Sequence, residues 1–157
     1  MSHYEKVEME DLKFSSLSAL KAAAEAHERP LQHNGICRGY NNQQRQCDYV
    51  IPLLGEYDVG FDLQPDGNYA MVADFFSNHI SKYLSTPEIE VQGEKLASTY
   101  TEQGEYEKAD LIRKISKVGK FIETYQLKMI EEEALLSGYS YREERLEDGT
   151  IDVILEK

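Results

Sequence analysis

The sequence predicts an α+β domain: a mainly antiparallel sheet with an N-terminal helix, a long α-helical hairpin inserted after the sheet, and a C-terminal β-hairpin. Three observations predict it. Asp66-Gly67 separates the alternating Val59, Phe61, Leu63 from the alternating Tyr69, Met71, Ala73. That dipeptide between alternating runs is a hairpin signal, because both residues tolerate the positive φ of a tight turn. From Glu94 to Leu136 the apolar residues instead recur at helical spacing. Asp148-Gly149 then sits between Tyr139–Glu144 and Thr150–Leu155, which repeats the hairpin signal near the C-terminus.

Taken in order, residues 3–10 read as a first strand with Val7 and Met9 on one side. Ser15 or Ser16 caps a helix reaching about Glu28, with Leu17, Leu20 and Ala24 as its buried stripe and Pro30 marking its end. Strands follow at 31–39, 47–54, 57–64 and 68–75, with Asn41–Gln46 as a polar loop. Gly60 inside an alternating run predicts a bulge or a close backbone approach. Phe75, Phe76, Ile80, Tyr83 and Leu84 return to helical spacing, and Thr86-Pro87 ends that segment or opens the next.

Leu96, Tyr100, Gly104, Tyr106 and Ala109 form L-x3-Y-x3-G-x-Y-x2-A, which resembles the helix-turn-helix core of a tetratricopeptide repeat. A single copy cannot form a repeat array, so it reads as one αα-hairpin packed on the domain. Its second helix is expected to run from Glu105 to Leu136. Leu111, Ile115, Val118, Ile122, Tyr125 and Met129 are spaced 4, 3, 4, 3, 4 along it, close to a heptad stripe. Homodimerisation through this interaction helix and packing within the domain both fit. Ile112, Phe121 and Ile130 widen the stripe toward the second. Gly138 stops the helix as a left-handed cap. The whole is one domain, 1–157, with 77–120 as the helical insertion.

The formal charge of −12, from 17 basic and 29 acidic residues, repels phosphate backbones and argues against direct nucleic-acid binding. Lys108, Arg113, Lys114, Lys117 and Lys120 are interleaved with apolar residues and read as a solvated helix face. No basic-then-apolar leader and no apolar run of spanning length is present, so a cytoplasmic protein (or one in a stroma-like compartment) without a membrane role is expected. Cys37 and Cys47 then read as free thiols, with a cross-strand disulfide as the alternative.

His3, His27, His33 and His79 are scattered, and no HxH, HExxH, CxxC, phosphate-loop or GxSxG pattern appears. No metal, cofactor or catalytic residue is therefore assigned. Around the first hairpin, Arg38 stands ready to neutralise one of Asp58, Asp62 and Asp74, as a structural pair rather than an acid–base dyad. Arg38, Tyr40, Tyr57, Asp58, Phe61, Asp74 and Phe75 are the candidate binding residues.

Ser2-His3-Tyr4, Arg38-Gly39-Tyr40, Tyr57–Phe61, Asp66-Gly67, Val72-Ala73-Asp74 and the segment from Gly138 to Leu155 resemble the hypothetical chloroplast reading frame thirty-five family. It is a domain of unknown function from plastids and cyanobacteria, with relatives in other bacteria and phages. The stretch 77–120 departs from its short members. The resemblance implies a related fold and no activity. Its members are often encoded beside an AAA-type ATPase, which implies a partner of that kind. The expected function is a non-enzymatic protein-interaction module, an adaptor or regulatory subunit of such an ATPase or another assembly. A small-ligand-binding protein or enzyme with a pocket at the sheet is the alternative, and an acidic mimic of nucleic acid a third.

Overall fold

The computed structural model describes residues 4–7 and 13–157. Among the described residues, seven strands and five α-helices follow in the order β1 (Glu5–Val7), α1 (Leu17–Ala26), β2 (Gln32–Arg38), β3 (Gln44–Ile51), β4 (Val59–Leu63), β5 (Tyr69–Ala73), α2 (Ser81–Leu84), α3 (Pro87–Glu102), α4 (Tyr106–Ser116), α5 (Gly119–Leu136), β6 (Ser140–Arg145) and β7 (Ile151–Glu156). Strands β1-β5-β4-β3-β2 form one antiparallel sheet, and β6-β7 form a separate two-stranded one. The α+β class stands. The outer parts of the expected first strand, residue 3 and residues 8–10, lie outside the described residues.

The hairpin at Asp66-Gly67 has the register that its alternation demands: Val59 faces Ala73, Phe61 faces Met71, and Leu63 faces Tyr69. Gly67 takes φ +87°, a conformation without steric cost only for glycine. Because side chains alternate across a strand, Val59, Phe61, Met71 and Ala73 reach one face together. There they meet Ala19, Leu20, Ala23 and Ala24 of α1 and Phe121, Ile122 and Tyr125 of α5. Ser16 caps α1, accepting from the Ala19 N–H at 3.0 Å. The Tyr125 hydroxyl accepts from the backbone N–H of Ser15 and Ser16. Phe14 packs edge-on against both Phe61 and Tyr125, at 5.4 and 4.9 Å.

Two strand expectations need correction. The Asn41–Gln46 loop is shorter than expected, a single 3-10 turn at Tyr40–Asn42 followed directly by β3 from Gln44. Polar residues 44–46 can sit in a strand because they form its solvent-facing start beside β2. Gly60 is not a bulge, since its pairing with Val50 and Val72 is continuous. It marks a close approach instead, with a Cβ there standing 2.5 Å from Cys47 Sγ. Cys37, Cys47 and Val50 make a small second cluster with Tyr4. Cys47 and Val50 are three apart, so a regular pleat would not bring them together. Asn34, at φ 53° opposite this stretch, breaks the regularity of the edge strand.

The single long helix expected from Glu105 to Leu136 is two helices. α4 ends at Ser116, and α5 starts at Gly119. Three contacts impose the break. Val118 is fully buried. The Lys117 ammonium donates to the carbonyls of Phe75 and Ser77, at 2.6 and 3.0 Å. Gly119 packs against Ile89, where a Cβ would stand 2.5 Å from Cγ2. α4 thereby folds back on α3, with Gly104 at φ +80° in the turn, while α5 crosses to α1. Thr86 opens α3 rather than ending α2, accepting from the Ile89 N–H with Pro87 in the first turn. Of the heptad stripe, Val118, Ile122 and Tyr125 lie in the core, and Leu111, Ile115 and Met129 pack half-buried against it. The stripe is an internal seam of this fold.

Candidate binding site at the sheet end

Arg38 is the last residue of β2, and Asp58 immediately precedes β4. The Arg38 guanidinium donates twice to the Asp58 carboxylate, Nε to Oδ2 at 2.7 Å and NH2 to Oδ1 at 2.8 Å, and once to the Leu53 carbonyl at 2.8 Å. The same carboxylate accepts from the backbone N–H of Arg38 and of Leu53, each at 3.0 Å. Asp58 N–H donates back to the Arg38 carbonyl. Asp58 is 2 % exposed, and every lone-pair direction it needs is filled by a fixed donor. Burial of a charge is tolerated on those terms. Donating to the Asp58 carboxylate in turn holds the Arg38 guanidinium more firmly protonated.

Asp74 follows Ala73, which pairs with Val59, so it stands at the same end of the sheet as Asp58. Its carboxylate accepts from the N–H of Tyr40 at 3.0 Å and of Phe76 at 3.1 Å. The two buried carboxylates therefore tie down two loops, 38–43 and 74–79. Asp62 sits toward the other end of β4 and pairs with Arg45 at 2.7 Å, so the three acids do not converge. Tyr4 secures the first loop from behind. Its hydroxyl reaches the carbonyls of Cys37 and Gln43, at 2.7 and 2.9 Å. Burial pushes its phenol above the ordinary value, so it stays protonated.

Above this base the loops leave a cleft of about 340 Å³, lined by Gly39, Tyr40, Asn41, Asn42, Glu56, Tyr57, Phe76 and His79. Tyr57 stacks on His79 with centroids 4.2 Å apart and planes 12° apart. Phe76 lies 6.2 Å beyond His79 at 22°, and Tyr40 meets Phe76 edge-on at 5.4 Å. Phe76 is 49 % exposed, a large ring held at the surface. Around the rim, Asn41, Asn42 and Ser77 take φ of 56°, 61° and 56°. Non-glycine residues in that region cost conformational energy and cluster at functional sites.

Of the residues that the sequence singled out, Arg38, Tyr40, Tyr57, Asp58 and Asp74 come together here. Phe61 and Phe75 belong to the main core, and so does Tyr57, which lines the cleft while only 3 % exposed. Asn41, Asn42, Glu56, Phe76 and His79 went unrecognised. The one available signal was the Phe75-Phe76 pair directly after a strand, since alternation sends one ring inward and its neighbour outward. Reading both as helical hid it.

The remaining candidates have structural partners. Cys37 and Cys47 are free, buried thiols, and the Cys47 thiol together with burial pushes the Cys37 thiol up, away from nucleophilic character. Lys108 lies over the Tyr100 ring, Arg113 pairs with Glu94, Lys114 with Asp110 and Lys120 with Glu123. With Lys117 on two carbonyls, all five cations of that stretch are engaged within the protein. Among the described residues, no three His, Cys, Asp or Glu side chains converge as metal ligands, and no helix is long and apolar enough to cross a membrane.

Fold and cleft together define an α+β scaffold that uses buried carboxylates to hold a small aromatic cleft at the end of an antiparallel sheet. The chain belongs to a family of proteins of unknown function, DUF1257, whose profile matches residues 16–104, more than half of its length. The match takes in α1, the sheet from β2 to β5, the cleft and α3, and it runs into the stretch 77–120 expected to depart from the resembled family. No curated protein and no solved structure matches the chain.

Proposed function

We propose that the protein is a non-enzymatic interaction module, with the aromatic cleft at the sheet end as its contact point. The observation that carries this reading is the set of rings at Tyr40, Phe76 and His79, backed by the buried Tyr57 and displayed on a base that two buried carboxylates make rigid. Exposed aromatic side chains in a preformed concavity are the usual anchors of protein recognition. The buried carboxylates beneath are consumed in holding backbone, so what the cleft offers is ring surface with Glu56 and His79 in its lining. An adaptor or regulatory subunit is the form of module that fits, and an AAA-type ATPase is the first partner to try, on the sequence resemblance alone.

The test is a comparison of partners recovered at low salt by the tagged wild type and by Phe76→Ala, with matched circular dichroism and melting temperature. A stoichiometric partner held by the wild type and lost by Phe76→Ala supports the module. A partner held equally by both removes the cleft from the interaction.

A further inference from the structure

Resting on that reading, we infer that the cleft receives an arginine side chain from a segment of the partner protein. Tyr57, His79 and Phe76 lie nearly parallel, at 12° and 22° to one another: buried Tyr57 backs His79, and the half-exposed Phe76 presents its ring face to solvent in the same orientation. Aromatic faces are the negative part of the ring quadrupole and attract cations. Glu56 adds an exposed carboxylate to the lining, and Asn41 and Asn42 add amide oxygens. No lysine or arginine lines the cleft.

Two cations that hold the cleft's loops are already committed. The Arg38 guanidinium is spent on Asp58 and the Leu53 carbonyl. The Lys117 ammonium is held by the carbonyls of Phe75 and Ser77. An anion would meet ring faces and the Glu56 carboxylate, with no lysine or arginine in the lining to receive it. A neutral apolar side chain would cover the rings but desolvate Glu56 without a partner. A cation satisfies both, and the net charge of −12 favours its approach.

Between the two basic side chains, the geometry selects arginine. A planar guanidinium stacks on an aromatic face while its N–H groups remain free to reach a carboxylate and amide oxygens at the rim. An ammonium is more strongly hydrated and offers no plane to match the rings. A volume of about 340 Å³ lies at the small end of ligand sites. It suits one extended side chain rather than a folded surface.

The experiment is a heteronuclear NMR titration of the full chain with a blocked Gly-Arg-Gly tripeptide and with its citrulline counterpart, which keeps shape and loses charge. Saturable shifts are expected at residues 39–42, 56–57 and 76–79 with the arginine probe. Binding should weaken at least about fivefold with citrulline and severalfold in Glu56→Gln, and vanish in Phe76→Ala. Phe76 is half exposed, so that variant should fold. If it does not, the arginine–citrulline ratio and Glu56→Gln still decide. Equal affinity for citrulline, no saturable shift, or shifts concentrated at another acidic surface such as Glu131–Glu133 would overturn the inference. A partner lost by Phe76→Ala together with no arginine preference would remove this inference and leave the module standing.

Discussion

The β4-β5 hairpin, whose open end carries the cleft, and the C-terminal hairpin are both closed by an Asp-Gly turn, yet they are held together in opposite ways. At the sheet end, contacts join residues far apart in the chain: Arg38 to Asp58, Tyr40 to Asp74, Tyr4 to Cys37. In β6-β7 the side-chain contacts are mostly between near neighbours, Tyr141 with Glu143, Arg142 with Glu144, and Thr150 with Asp148. Its residues are half-buried at most, and Leu146 and Leu155 are exposed. The hairpin joins the body through α5, where Tyr139 N–H closes the helix on the Ala134 carbonyl. A two-stranded ribbon alone is marginal in water. The same local signal thus yields core in one place and a solvated arm in the other, and the difference is what each hairpin packs against.

The sharpest way to break the contrast is Asp58→Ala. It strands the N–H groups of Arg38 and Leu53 and the Arg38 charge. Losing a buried partner costs several kcal/mol, and partial exposure of Arg38 keeps the figure near the low end, about 3 kcal/mol in urea unfolding. A loss below about 1 kcal/mol would mean that the knot is not what holds the cleft. Gly60→Ala comes next, because its Cβ meets Cys47 Sγ at 2.5 Å. Overpacking of that kind costs about 2 kcal/mol. Adding Cys47→Ala should restore part of it, and strict additivity of the two would argue against the proposed clash.

A smaller effect separates the α1–α5 layer from both hairpins. Burial, then the neighbouring Lys120, hold the His27 imidazole below its ordinary value of 6.5. Its Nε2 meets Thr124 Oγ1 at 3.1 Å. The folded state binds this proton less tightly than the unfolded chain, so the unfolded state carries more protons. Stability from this group is complete above pH 6.5 and falls as the pH drops below that value. Replacement by Gln should flatten that acid limb of the melting temperature, and an unchanged limb would assign it to other groups. The smallest effect is expected from removing 139–157. The arm buries little, so the remaining body should lose under about 1 kcal/mol, with its sheet amides still protected from exchange. A collapse of that protection would show that the arm is part of the core.

Much of this fold could be read from residue types alone. The Asp66-Gly67 register, the Ser16 cap and the stops at Gly104 and Gly138 rest on local chemistry: which residues accept positive φ, which side chains cap, which patterns alternate. The end of the long helix could not be read in that way. Leu111 to Met129 keep a helical period straight across the break, and Gly119 alone hinted at it. Lys117 on the carbonyls of Phe75 and Ser77, and Gly119 against Ile89, are contacts between segments some thirty to forty residues apart. The cleft divides along the same line. Arg38 could be read as the partner of one of Asp58, Asp62 and Asp74, because a buried carboxylate demands a partner, and the structure selects Asp58 across β3. Phe76 and His79 could not be placed beside Tyr57, because nothing in their local pattern says where the loop after β5 will turn. Residue types alone place the caps, the turns and most of the strand pattern, whose energetics are set within a few residues. Only the tertiary structure decided where the helix breaks and which rings share a cleft, because those depend on long-range packing that no local pattern encodes.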